Sequence, residues 1–119
     1  MFSKNLEIAF LLDFYGEVLT DRVRELLEMY YCDDLSLSEI SENVGISRQG
    51  VRQSIKKGEE ELILLESKLG LANRHVKLKE TAGELIRLAD SISGERDQEK
   101  ILALASTARD CAREILAEE

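Results

Sequence analysis

Six cationic and amide side chains lie within ten consecutive residues, and their types suit contact with nucleic acid. They are Arg48, Gln49, Arg52, Gln53, Lys56 and Lys57. Side chains four residues apart project from the same side of an α-helix. Arg and Lys bind phosphate oxygens, and Arg and Gln form hydrogen bonds with base edges in a major groove. The spacing therefore predicts a nucleic-acid-binding face on a helix.

A shorter helix is predicted just before this face. Leu37, Ile40 and Val44 recur at one-turn intervals and would form its apolar side. Ser36 and Glu39 have the S-x-x-E spacing of a capping box, in which each side chain bonds the other residue's backbone amide. We therefore expect a helix that begins directly after Ser36.

A glycine turn joins the two predicted helices. Gly45 can adopt the left-handed conformation that ends a helix, and Ser47 can cap the helix that follows. Val51 and Ile55 would turn the apolar side of that helix inward and leave the cationic side exposed. Residues 36–57 therefore predict a helix-turn-helix motif whose second helix is the recognition helix.

The motif also resembles a known family. Ser47-Arg-Gln-Gly-Val-Arg-Gln-Ser-Ile-Lys56 is similar to the recognition helix of sigma factor region 4. Together with Tyr30-Tyr-Cys-Asp-Asp-Leu-Ser-Leu-Ser-Glu-Ile40 and Glu59-Glu-Glu-Leu62, it resembles the YlxM family of small bacterial helix-turn-helix proteins, closely over residues 2–69 and loosely over the tail. The resemblance implies a cytoplasmic protein of the signal recognition particle pathway, with the particle's GTPase or its RNA as partner. It implies no catalytic site.

Composition agrees with an all-α protein. The 119 residues include no Pro and no Trp, with 44% hydrophobic and 34% charged residues. This length suits one domain with a modest core. Because 24 acids outnumber 16 Lys and Arg, the net charge is −8 and the long-range field repels nucleic acid. Any contact with nucleic acid must therefore be local.

Nothing in the sequence predicts an enzyme, a cofactor or a metal site. Cys32 and Cys111 have no metal-ligand spacing and are expected to be reduced core thiols. The lone His75 is expected at the surface near a helix start. There is no G-x-x-x-x-G-K-[ST] stretch for a nucleotide. Without a leader or a long apolar run, we expect no membrane insertion and a cytosolic protein.

Two helices are predicted before the motif. The first, over residues 4–15, is apolar around most of its circumference and should end at Gly16. Its Phe10 and Phe14 could belong to the core or to a dimer contact. The second should begin after Thr20, extend to about residue 32 and support the motif from behind.

The recognition helix should continue well beyond the motif, to Gly70. Its apolar series steps by four and three through Val51, Ile55, Gly58, Leu62, Leu65 and Leu69. Leu62, Leu65 and Leu69, together with the two phenylalanines of the first helix, form a predicted packing seam. This surplus apolar surface leads us to expect a homodimer.

The remaining residues predict a helical hairpin after a turn at residues 70–74. The apolar seam of its first helix is expected at Leu78, Ala82, Leu85, Ala89 and Ile92. Ser93-Gly94 should break that helix, and a last helix should begin near Glu95. We therefore expect a helix-turn-helix domain at residues 1–69 and a C-terminal hairpin at residues 70–119 that packs on it as one continuous unit.

Two functions fit these features. The family resemblance favours a non-catalytic accessory regulator of the signal recognition particle pathway. The motif alone also fits a transcriptional regulator that binds duplex DNA as a dimer, with two recognition helices on one side. The composition and the spacing of the motif do not separate the two functions.

Overall fold

The computed structural model describes residues 6–117, and this part of the chain contains six α-helices and no β-strand. The helices are α1 (Leu6–Tyr15), α2 (Asp21–Tyr31), α3 (Leu37–Val44), α4 (Arg48–Leu69), α5 (Leu71–Gly94) and α6 (Gln98–Ala117), with a short 3₁₀ helix at Gly16–Val18. The predicted all-α fold, with a long recognition helix and a C-terminal helical hairpin, is confirmed. None of the helices in this range is both long and apolar enough to cross a membrane.

The helix α4 is the centre of the N-terminal half, because α1, α2 and α3 all pack against it. The buried core consists of Ile8, Leu11, Leu12, Tyr15, Leu19, Leu26, Leu27, Tyr30, Ile40, Val51, Ile55, Leu62 and Ala72. The core is therefore built on the side of α4 that the four-three series predicts, and the cationic side is left in solvent.

Gly58 allows α2 and α4 to approach closely. A β-carbon added to Gly58 would lie 2.7 Å from both Leu27 Cδ1 and Val23 Cγ1 of α2. Carbon atoms pack best at about 3.5–4.0 Å, so no larger residue fits without movement of its neighbours. The glycine in the apolar series thus marks the contact between these two helices.

The junction between α4 and α5 differs from its prediction. Gly70 adopts the expected left-handed conformation (φ 63°), but α5 begins at once at Leu71, so the predicted turn over residues 70–74 is wrong. The hydroxyl group of Tyr15 donates a hydrogen bond to Glu66 Oε1 (2.6 Å) and accepts one from the Leu71 amide (3.0 Å). Glu66 Oε1 also accepts from the Ala72 amide (3.1 Å). These bonds satisfy the first amides of α5. A turn of several residues between α4 and α5 is therefore unnecessary.

The chain divides into two compact units, one extending to Ala72 and the other beginning at Asn73. In the second unit, residues from the start of α5 and the end of α6 line one small pocket: Lys77, Leu78, Thr81, Glu114 and Ile115. The two helices are therefore antiparallel, as predicted for a hairpin. His75 is exposed near the start of α5, as expected.

The hairpin corrects two details of the sequence interpretation. The helix α6 begins at Gln98 and not near Glu95, because the Glu95 carboxylate accepts hydrogen bonds from the Arg96 and Asp97 amides and holds a turn there. Ala82 and Ala89 are exposed, and the half-buried line of α5 is Thr81, Leu85, Leu88 and Ile92. The seam is thus rotated slightly from the predicted one, toward larger side chains.

The two cysteines lie in different environments. Cys111 is buried, as predicted, and burial raises the pKa of its thiol. The neighbouring Glu84 carboxylate raises this pKa further through its charge and a hydrogen bond with the thiol. Cys32 is exposed, so its prediction as a core thiol is wrong. It occupies the position that ends α2, where its amide donates to the Glu28 carbonyl.

Candidate nucleic-acid interface

Local hydrogen bonds define the start of α3. The Ser36 hydroxyl accepts from the Glu39 amide (3.1 Å), and the Glu39 carboxylate accepts from the Ser36 amide (3.2 Å). This reciprocal pair is the predicted capping box. Gly45 then ends α3 in the left-handed conformation (φ 77°), which a residue with a β-carbon adopts only at a cost in free energy.

Hydrogen bonds also fix the turn between α3 and α4. The Ser41 hydroxyl donates to the Ile46 carbonyl, and the Ser47 hydroxyl accepts from the Gly50 amide (3.0 Å) at the first turn of α4. On the inner side, the predicted core residues Ile40 and Val51 are fully buried. The orientation of α4 relative to α3 is therefore set both by caps and by packing.

The six predicted contact residues all lie on the exposed surface of the first three turns of α4. They are Arg48, Gln49, Arg52, Gln53, Lys56 and Lys57. Arg48, Arg52 and Lys56 follow each other at intervals of four residues, which correspond to a rise of about 6 Å each along the helix. We call these six residues the basic face. A surface of this length matches the major groove, which is about 12 Å wide.

The four cations of the basic face form no ion pair with any residue between positions 6 and 117. By contrast, Arg24 on α2 pairs with Asp21 (3.1 Å) and Glu28 (3.9 Å). An unpaired cation keeps its full charge for a ligand, and no internal bond has to be broken before the ligand binds. The basic face is therefore ready to contact an anion such as phosphate.

A tyrosine hydroxyl group holds Glu59, the first acid beyond the basic face, against the body of the protein. The Tyr31 hydroxyl donates a hydrogen bond to Glu59 Oε1. Burial raises the pKa of Tyr31, and the bond to Glu59 and its negative charge raise it further. The pKa of Tyr30 is raised mainly by burial, then by the charge of Glu59, and is lowered by the charge of Arg52. Tyr30 is thus close enough to Arg52 of the basic face and to Glu59 for both charges to act on its hydroxyl group.

The sequence interpretation did not include the pairing of Tyr31 with Glu59. The two residues are 28 positions apart, and neither belongs to a local capping pattern. The only available signal was the position of two tyrosines at the end of the helix before the motif. Tyr30 is buried and Tyr31 is half-buried, with ring centroids 5.0 Å apart in an edge-to-face arrangement.

The five residues of the predicted packing seam do not form one exposed surface. Leu62 is fully buried within the monomer and Leu65 is half-buried against its core. Phe14 is half-buried too and contacts Phe10 edge to face, with 5.0 Å between the ring centroids. Phe10 (38%) and Leu69 (51%) are exposed. Leu62 and Leu65 therefore stabilise the monomer, and of these five residues only Phe10 and Leu69 are exposed enough for contact with another chain.

The order of the helices, the caps of the turn and the exposed basic face define a helix-turn-helix protein. Residues 2–104 match the UPF0122 family, described as YlxM / p13-like helix-turn-helix proteins. The chain belongs to this family. It is 43% identical to the UPF0122 protein of Thermoanaerobacter sp. strain X514 over 110 aligned residues, and this alignment covers 92% of each chain.

Other relatives agree with this assignment. The UPF0122 protein of Acetivibrio thermocellus is 46% identical over 90 residues, or 76% of this chain and 77% of the relative. That of Caldanaerobacter subterraneus subsp. tengcongensis is 51% identical over 73 residues, or 61% of this chain and 62% of the relative.

Proposed function

We propose that this protein is a non-catalytic accessory regulator of the signal recognition particle pathway and that its basic face contacts RNA phosphates. The observation that carries the proposal is the exposure of four unpaired cations, within ten residues, on a chain of net charge −8. Such a protein is repelled by nucleic acid at long range and attracted at one short surface. This arrangement suits a factor that binds a ribonucleoprotein, where protein contacts add to a few phosphate contacts.

The test is affinity purification of the tagged full-length protein from a cytoplasmic lysate, with and without ribonuclease. We expect the RNA of the signal recognition particle and its GTPase to be recovered with the wild type. The Arg48→Ala/Arg52→Ala variant should lose the RNA. The proposal would be contradicted if the untreated lysate gave neither the RNA nor the GTPase and the ribonuclease-treated lysate did not give the GTPase either.

A second candidate function is duplex-DNA binding by a dimer. The observation that favours it is the capped α3–turn–α4 geometry, which leaves the first turns of α4 free to enter a major groove. The salt dependence of binding separates the candidates. Four phosphate contacts on single-stranded RNA give a slope of log K against log salt of about −3, whereas eight contacts of a dimer on duplex DNA give about −7.

A further inference from the structure

The outer side of α1 is apolar although α1 already contributes to the core. Ile8, Leu11, Leu12 and Tyr15 are buried, so one side of the helix is satisfied by packing within the N-terminal unit. On the opposite side Leu6 is 81% exposed and Phe10 38% exposed. These two residues are one turn apart, and Phe14, which is half-buried, follows at the next turn. We call Leu6, Phe10 and Phe14 the outer stripe.

Within α1 and the short 3₁₀ helix that follows it, the charged side chains are all acidic. Between positions 6 and 20 the sequence contains Glu7, Asp13 and Glu17, all exposed, and no Lys or Arg. Asp13 follows Leu6 by seven residues and therefore lies on the same side of α1. An apolar stripe of just over two turns bordered by carboxylates is complementary to a helix with an apolar side bordered by cations.

Charge decides between the possible occupants of this surface. In a two-fold pair of copies, α1 would face α1, and the acids of both copies would meet without a cation from either helix. Phosphate-rich ligands and anionic lipid surfaces would be repelled by the same carboxylates. A basic partner protein would bury apolar surface against the outer stripe, and its cations would be attracted by the acids beside it.

We propose that the outer stripe of α1 is a docking surface for a basic amphipathic helix of a partner protein. This proposal extends the accessory role above to a protein contact, on a different helix from the basic face. The partner helix would place apolar residues at intervals of three and four positions against Leu6 and Phe10. Its flanking Lys and Arg would lie near Asp13 and Glu17.

The probe is a fluorescein-labelled peptide of about 18 residues, long enough to form a helix, with Leu at helical intervals and Lys elsewhere. Its binding to the full-length protein is followed by fluorescence anisotropy. One control peptide has the same composition with Leu distributed around the helix, and another has Glu in place of Lys. We expect binding of the first peptide only, with an affinity that falls as salt is added because carboxylates contribute.

Four variants test the site. Leu6→Ser/Phe10→Ser should bind the peptide at least about tenfold more weakly, because both exposed anchors are lost. Asp13→Asn/Glu17→Gln should bind with a smaller salt dependence. The matched control Leu64→Ser removes another exposed leucine (56% exposed), from α4, and should bind as the wild type does. Arg48→Ala/Arg52→Ala should also bind as the wild type does, so failure of the proposed RNA contact would leave this result unaffected.

Circular dichroism of each variant confirms that its helices are retained before binding is compared. Equal affinity of Leu6→Ser/Phe10→Ser and wild type would overturn the proposal, as would equal binding of the peptide with dispersed leucines. Sedimentation provides a further test: a wild-type dimer that Leu6→Ser/Phe10→Ser converts to monomer would show that a second copy of the chain occupies the stripe, and would also overturn the proposal.

Discussion

Replacement of Gly58 by Ala should destabilise the N-terminal unit, although alanine favours helix formation. The added methyl group would lie 2.7 Å from Leu27 Cδ1 and from Val23 Cγ1, and 3.3 Å from Leu27 Cγ. Leu27 is fully buried, so its side chain can move only if the core repacks. Such overpacking costs about 1–3 kcal/mol, and the gain in helix propensity offsets about 1 kcal/mol. We expect a net loss of about 1 kcal/mol.

Gly83→Ala is the matched control. Gly83 is also inside a helix, but a β-carbon there meets no atom within 4 Å. This change should therefore stabilise its unit by about 1 kcal/mol through helix propensity alone. Urea unfolding followed by tyrosine fluorescence measures the N-terminal unit, since all three tyrosines (Tyr15, Tyr30 and Tyr31) are there. Circular dichroism follows the helices of both units, so a transition that tyrosine fluorescence does not show reports on the hairpin. A gain in stability for Gly58→Ala similar to that of the control would refute the close contact of α2 and α4.

Three further predictions concern the core, the Tyr31 hydroxyl and the oligomeric state. Ile55→Ala should cost about 2–4 kcal/mol in urea unfolding, because Ile55 is 5% exposed and its loss leaves a cavity; an unchanged midpoint would mean that the register of α4 is wrong. Tyr31→Phe should cost about 1 kcal/mol at pH 7, through the lost bond to Glu59. Because folding raises the pKa of Tyr31 above its ordinary value near 10, the wild type should lose stability as the pH rises above about 10, and Tyr31→Phe should lose less; equal losses would contradict this. Sedimentation at micromolar concentration should show a homodimer, because apolar residues outside α1 such as Leu69 (51% exposed) remain uncovered in the monomer, and a single 13.5 kDa species would contradict it.

Most of the motif could be predicted because its determinants are local in the chain. A capping box needs only the spacing of Ser36 and Glu39, and a left-handed helix end needs only a residue such as Gly45 without a β-carbon. The exposed positions of Arg48 and Arg52 follow from the helical period once the buried side of α4 is known. Local hydrogen bonds and helical periodicity therefore predicted both the motif and its basic face.

Features that depend on contacts between distant segments could not be predicted in the same way. Tyr15 caps the start of α5 from 56 residues away, and this bond removes the turn that was predicted at residues 70–74. In the hairpin, alanine is nearly as compatible with solvent as with a seam. Periodicity therefore could not distinguish Ala82 from Thr81, and only the packing of α5 with α6 decides which of them is covered.

Leu62 illustrates a third limit. Periodicity placed it correctly on the apolar side of α4, but it could not tell a contact within the monomer from a contact between copies. The same uncertainty applied to α1, where Ile8 is in the core and Phe10 faces outward. Which apolar side is covered depends on the number and position of the neighbouring helices, and one helix's sequence does not contain this information.

The most direct test of the central claim is the affinity of the Arg48→Ala/Arg52→Ala variant for the RNA of the signal recognition particle, compared with that of the wild type. If each side chain makes one contact of ordinary strength, the double change should cost about 2–4 kcal/mol, or roughly 30- to 900-fold in the dissociation constant. Lys68→Ala is the control, because Lys68 is an exposed cation of the same helix outside the basic face. The account predicts a large loss for the double variant and nearly unchanged binding for the control. Equal affinity of the double variant and the wild type would contradict it.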